Sequence, residues 1–207
     1  MEQRSPEWFT ARLGKVTASR VADVIAKTKS GYSASRANYM AELVCERLTG
    51  RSGDFYQNAA MVWGTETEPM ARSAYEAHSG NLVTETGLVL HSSISDAAAS
   101  PDGLIDEDGL VEIKCPNTST HIDTLLDEKV PSKYVTQIMW QMACTGRKWC
   151  DFVSYDPRMP EHMQIFVKRV ERDDDIIVEL EREVEKFLSE LDEKITTLTK
   201  LYNKEAE

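Results

Sequence analysis

Residues 99–116, Ala-Ser-Pro-Asp-Gly-Leu-Ile-Asp-Glu-Asp-Gly-Leu-Val-Glu-Ile-Lys-Cys-Pro, constrain the fold more than any other stretch of the chain. Two short apolar runs flank an acidic turn at Asp106–Gly109, the pattern of a β-hairpin. Closure through a three-residue loop at Asp106–Asp108 makes opposed residue numbers sum to 214, which sets Asp102 across from Glu112. Side chains so opposed have Cβ atoms about 4.5–5.5 Å apart. Two carboxylates about 4 Å apart repel by about 4 kcal/mol at an effective dielectric near 20, and a divalent cation between them reverses the sign. Asp102 and Glu112 are therefore candidate metal ligands, with Lys114 beside Glu112 on the same face of the second strand. Val111 and Ile113 are expected to face the core. A plainer reading stays open: Pro-Asp-Gly and Asp-Gly are turn signatures, and acidic hairpin tips are ordinarily only solvated. A slip of one residue would also move Asp102 to the wrong face.

A chain of 207 residues suits one domain, with 171–207 as an acidic helical extension. There is no run of about 18 apolar residues and no signal-like start, so the cytoplasm is the expected compartment, without a membrane partner. Cys45, Cys115, Cys144 and Cys150 form no C-x-x-C pair and read as reduced, mostly buried thiols. The histidines lack zinc-type spacing, so a metal would sit among oxygen ligands, which suits Mg²⁺ or Mn²⁺. The net charge of −11 argues against a protein that coats nucleic acid. Its distribution is uneven: residues 1–58 carry nine basic and six acidic groups, a net of +3, whereas 59–170 and 171–207 each carry −7. Any DNA contact must use a local basic surface.

Thr17 is a plausible N-cap for a helix over 18–26. Ser19 falls in its first turn, where free N–H groups and the helix dipole favour an anion, and Arg12 lies within reach; an ordinary cap beside a surface arginine is the alternative. Residues 27–32 read as a basic flexible loop, 35–48 as a helix stopped by Gly50, and 51–58 as a polar loop. In a helix over 65–79, Thr65-x-x-Glu68 forms a capping box, which accounts for Glu68 without any chemistry. Strands are expected at 84–90, 97–105, 149–155 and 163–170, and helices at 120–127 and 132–145. On the last of these, Tyr134, Gln137, Ile138 and Gln141 share a face, either lining a polar pocket or simply wet. From Asp173 one long helix carries Ile177, Leu180, Val184, Phe187, Leu191, Leu198 and Leu201 as a docking stripe. The order of elements gives an α/β fold of α+β character with a central mixed sheet.

Pro101-Asp102 followed by Glu112-Ile-Lys114 matches the PD-(D/E)xK nuclease signature. With Trp63-Gly64 and Glu68, Ser100-Pro-Asp-Gly-Leu104, Glu112-Ile-Lys-Cys-Pro116 and Tyr155-Asp-Pro-Arg-Met159, the chain from Trp8 to Val170 resembles the phage lambda exonuclease and YqaJ-type viral recombinase family. The resemblance implies a restriction-endonuclease-like core with Mg²⁺, as two ions, held by Asp102, Glu112, the Ile113 carbonyl and Glu68. It implies that Lys114 orients or deprotonates the attacking water and that Gln137 lies against the site. It further implies that Arg12, Ser19 and Ser100 bind the 5′-phosphate of the recessed strand. Lys29 stands where an arginine is usual, keeping the charge without the guanidinium fork. The implied activity is 5′→3′ digestion of one strand of double-stranded DNA to mononucleotides by a ring-shaped homotrimer, leaving a 3′ overhang for a single-strand annealing partner. A structure-specific endonuclease on the same core and a non-catalytic acidic interaction protein are the rival readings. Contacts to phosphates and ends give no reason to expect base specificity.

Overall fold

A computed structural model describes residues 2–53 and 58–202. The chain runs α1 (Pro6–Arg12), β1 (Val16–Thr17), a 3₁₀ turn (Ala18–Arg20), α2 (Val21–Ile25), β2 (Lys27–Thr28), β3 (Gly31–Tyr32), α3 (Ala34–Thr49) and α4 (Ala59–Ser79). It continues through β4 (Val89–Leu90), β5 (Ala97–Ala99), β6 (Gly103–Ile105), β7 (Gly109–Lys114), α5 (Thr118–Asp127) and α6 (Ser132–Thr145). It ends with β8 (Trp149–Tyr155), a second 3₁₀ turn (Glu161–Met163), β9 (Ile165–Glu171) and α7 (Asp174–Tyr202). The polar loop expected at 51–58 and the end of the expected C-terminal extension include residues 54–57 and 203–207, which lie outside the described residues.

The main sheet has the order β6-β7-β8-β9. β6 and β7 pair antiparallel as Gly103↔Val111, Leu104↔Leu110 and Ile105↔Gly109, the register in which residue numbers sum to 214. β7 and β8 are parallel, and α5 and α6 supply the crossover that parallel neighbours need. Val111 and Ile113 face a core as expected, and because a parallel pair is ordinarily covered on both faces the opposite face is buried as well. Val111, Ile113, Val153 and Tyr155 pack with Ala71 and Tyr75 of α4 in a smaller cluster. Leu110, Cys150 and Phe152, on the face that carries Glu112, join the larger core under α2, α3, α6 and α7.

Several boundaries differ from the expected ones for local reasons. The strand expected over 97–105 breaks at Ser100-Pro101-Asp102, because Pro101 has no N–H for a ladder. β5 instead pairs with β1 and β4, while β6 pairs with β7. The strand expected over 84–90 reduces to β4 and one bridge between Thr84 and Leu104. The helix expected over 18–26 is a 3₁₀ turn followed by the short α2, and Thr17 makes no side-chain cap bond. Residues 27–32 form the β2–β3 ribbon, docked on α7 by Lys27 and Tyr32, which reach Glu183 at 3.0 and 2.7 Å.

α4 is capped by Asn58, whose side chain accepts the Met61 N–H, so Thr65 and Glu68 lie inside the helix and form no capping box. α7 buries Ile177, Leu180, Val184, Phe187 and Leu191 in the larger core and is lashed by Arg36–Glu190 and Arg47–Asp192. The docking stripe expected on this helix is buried from Ile177 to Leu191, Leu198 packs against the core in part, and Leu201 is exposed. The cysteines are free thiols; Cys144 and Cys150 are buried, Cys115 is partly covered, and Cys45 is exposed.

Gly109 ends the hairpin loop with the Trp149 ring lying where its Cβ would be. Gly109→Ala is expected to cost about 1–3 kcal/mol through overpacking, seen as a lower urea midpoint at unchanged m-value.

Candidate active site

Glu112 is a charged side chain only 1% exposed, and its environment is built for it. Lys114 Nζ and Gln137 Nε2 donate to Oε1, the latter at 2.6 Å, and Gln141 Nε2 donates to Oε2 at 2.6 Å. Gln137 and Gln141 are one helical turn apart, so both reach down from α6. Tyr134, on the same face, stacks on Phe152 and lies 5.3 Å from Lys114 Nζ. The face expected to be either a pocket or wet is a buried polar lining. Asp102 stands one step beyond the last ladder pair, across from Glu112, and its Oδ2 accepts the Ile113 N–H at 2.7 Å. A side chain thus replaces the ladder bond that the break at Pro101 removes.

Burial, then the neighbouring Glu112 and then Glu68, hold the Asp102 carboxyl well above the usual carboxylate range, against the pull of Lys114 and the Ile113 N–H. Burial also works to discharge Lys114, but Glu112 and Asp102 outweigh it and raise its pKa, so it is an ammonium. Cys115 is pushed up to about 12 by burial and by Glu68 and Asp102, which rules it out as a thiolate nucleophile at neutral pH.

Glu68 faces this centre from α4, with Arg4 at 2.6 Å on Oε2 and Arg72 at 3.4 Å on Oε1. Among the described residues, no three His, Cys, Asp or Glu side chains converge as a preformed metal cage. The reason is visible: the Glu112 oxygens are taken by Lys114 and the glutamines, and those of Glu68 by arginines. By donor type the set nevertheless fits a hard divalent cation. Asp102 is buried with Glu112 and Glu68 both raising its pKa, and Gln141 Oε1 is buried without a partner among the described residues.

The N-terminal segment closes one side. Trp8 Nε1 donates to Ser100 Oγ at 3.0 Å, and the Arg12 guanidinium lies 4.0 Å over the Trp8 ring with Nη2 3.5 Å from Thr17 Oγ1. Gln3 Nε2 donates to the Pro101 carbonyl at 2.7 Å. Burial lowers the Arg12 pKa, the mark of a cation short of solvation.

Arg12 and Ser100, the latter two residues ahead of Asp102, are linked through Trp8, a residue to which no sequence signal points. An isolated aromatic outside any periodic segment carried no signal. Gln141 lies on the stripe that the i, i+3, i+4, i+7 spacing marks, where a glutamine carries no chemical signature of its own. Ser19 is exposed on the 3₁₀ turn, with no helix of useful length behind it, and its hydroxyl makes no hydrogen bond among the described residues. Lys29 is exposed at the tip of the β2–β3 ribbon and forms no hydrogen bond or ion pair with the acidic centre among the described residues.

A family model described as the YqaJ-like viral recombinase domain matches residues 7–148. The chain is 55% identical to an alkaline exonuclease from Laribacter hongkongensis, with a TM-score of 0.91 over 98% of this chain and 100% of that one. The structure of that exonuclease in complex with dAMP matches with a TM-score of 0.92. A phage-related exonuclease from Haemophilus somnus shares the fold at 16% identity, with a TM-score of 0.73 over 89% of this chain and 96% of that one. The uncharacterized protein R354 of Acanthamoeba polyphaga mimivirus is 26% identical over 183 residues, which are 81% of this chain. The chain spans only 31% of that protein's length.

Proposed function

The chain belongs to the YqaJ-like viral recombinase family, and on that footing we propose that it is a Mg²⁺-dependent exonuclease acting on double-stranded DNA ends. It digests the 5′-ended strand 5′→3′ to mononucleotides and leaves a 3′ overhang for a single-strand annealing protein. The observation that carries this reading is the convergence of Asp102, Glu112 and Lys114 beside the Trp8–Arg12–Ser100 cluster. The likeness to an alkaline exonuclease over the whole chain supports it.

Asp102, Glu112 and the Ile113 carbonyl would hold Mg²⁺, with Glu68 completing the acidic group; Mn²⁺ is expected to substitute. The bound metal supplies Lewis acidity and an acidified water. Lys114 stays charged while Glu112 and Asp102 face it, so its part is to orient the attacking water and offset charge on the scissile phosphate. Gln137 and Gln141 fix the Glu112 rotamer. Arg12 and Ser100 receive the terminal 5′-phosphate, which confines attack to strand ends. Assembly as a homotrimeric ring in the cytoplasm would hold DNA topologically and reconcile the activity with a net charge of −11.

The test is end-labelled linear duplex with Mg²⁺, carrying a 5′-phosphate or a 5′-hydroxyl, against covalently closed circles. Mononucleotides released from the 5′-phosphorylated strand, with closed circles intact, are expected. Prompt cutting of closed circles would make the protein an endonuclease instead. Arg12→Ala should lower the rate on 5′-phosphorylated ends by about 10- to 100-fold, the worth of a hydrogen bond to a charged group, and spare 5′-hydroxyl ends. Equal loss on both ends would make Arg12 a structural residue.

A further inference from the structure

The arms of the hairpin splay beyond Asp102 and Lys114. One continues through Ser100 into β5 and the sheet of β1 and β4, while the other leaves β7 through Pro116 toward α5. On the first arm Arg12 lies on Trp8, which is bonded to Ser100, two residues ahead of Asp102. The second arm carries a matching pair. The Arg158 guanidinium lies 4.4 Å over the Trp63 ring and donates through Nη2 to the Pro116 carbonyl at 3.2 Å, two residues beyond Lys114. Trp63 sits on α4, five residues ahead of Glu68. An arginine stacked on a tryptophan is therefore tied to each arm, two residues from Asp102 on one and two residues from Lys114 on the other.

Arg158 is held unlike an ordinary surface arginine. Its Nε and Nη2 donate to Asp156 Oδ1 and Oδ2 at 2.7 and 2.9 Å, and Asp156 is fully buried. Asp156 Oδ1 also accepts the Arg158 backbone N–H at 3.0 Å. Gln164 Nε2 braces the same turn through the carbonyls of Pro157 and Met159 at 3.1 and 3.0 Å. A long cationic side chain normally loses rotamer freedom when it grips a ligand; here that freedom is already lost. The residue is exposed, and Nη1 forms no hydrogen bond among the described residues. A rigid planar fork with a free N–H pair facing solvent is suited to a phosphate. A brace for the loop accounts for the bonds to Asp156 and Pro116 but leaves the outward Nη1 without a role.

We propose that Arg158, on its Trp63 platform, binds a backbone phosphate of the scissile strand on the 3′ side of the cut, opposite the terminal phosphate assigned to Arg12. This rests on the nuclease reading above. The test walks single neutral methylphosphonate linkages along the 5′-ended strand of a 5′-phosphorylated duplex and measures affinity with Ca²⁺ replacing Mg²⁺. The wild-type chain is expected to lose about tenfold in affinity at one linkage 3′ of the cut. The Asp156→Asn/Arg158→Gln double variant, which leaves no unpaired buried charge, should lose sensitivity at that linkage alone. Arg158→Lys keeps a charge for Asp156 but lacks Nη1, and the same loss is expected if the double variant does not fold. Identical linkage profiles in wild type and variant, at whatever affinity, would overturn the assignment. A wild-type chain that binds no duplex would instead overturn the nuclease reading itself.

Discussion

Lys114→Ala is expected to lower turnover on 5′-phosphorylated linear duplex by about 10³-fold or more, the scale of losing a charged group that acts on the reacting atoms. The same substitution removes the cationic partner of a carboxylate that is only 1% exposed. Breaking a buried pair from one side costs about 3–5 kcal/mol, so the urea midpoint should fall together with activity. Removing both charges in Glu112→Gln/Lys114→Met separates the two effects. Stability should return toward wild type, since carboxamides can still bond to Gln137 and Gln141, while digestion stays absent. Single-turnover digestion and urea unfolding on the same preparations decide it. Undiminished turnover in Lys114→Ala would remove the lysine from the mechanism.

Asp102→Asn should abolish digestion and yet raise thermal stability without metal. Burial and two nearby carboxylates hold the Asp102 pKa above its unfolded value. Between the ordinary carboxylate range and that raised pKa, the folded state binds more protons than the unfolded one. Wild-type stability therefore falls as pH rises through this window. Asparagine carries no charge to desolvate and still accepts the Ile113 N–H, so the variant should be more stable at neutral pH and lose that pH dependence. Each kcal/mol recovered is worth about 2–4 °C in a chain of this size. Mg²⁺ should raise the wild-type melting temperature, because a ligand that binds only the folded state stabilises it, and leave the variant nearly unmoved. A variant that melts below wild type in the absence of metal would refute the charge argument.

The hairpin was legible because two independent signals agreed on its register: the length of the acidic loop and the alternation of apolar residues. What could not be read was which sheet each arm would join, since pairing partners across the chain leave no local trace. The Glu68 case shows a different limit. Thr65-x-x-Glu68 is a sound capping signature, but Asn58 offers a cap earlier and α4 absorbs Trp63 and Gly64 into its body. Glu68 thereby lies inside the helix, where Arg72 is its i,i+4 neighbour, whereas Arg4, 64 residues away, is a partner that only three dimensions reveal. Trp8 has one local partner, Arg12 four residues on along α1, but the bond to Ser100, 92 residues away, leaves no trace in the sequence. Only the family resemblance points to Ser100; local chemistry points to Asp102, Glu112 and Lys114, and to Arg12 as one of two open readings.

The parallel pairing of β7 with β8 has a consequence for biosynthesis. Glu112 acquires its full set of donors only when Gln137 and Gln141 arrive on α6, and β7 gains its second neighbour only when residues 149–155 follow. Contacts this distant in sequence form late and slowly. A chain still emerging from the ribosome has the carboxylates but not the pocket that holds them.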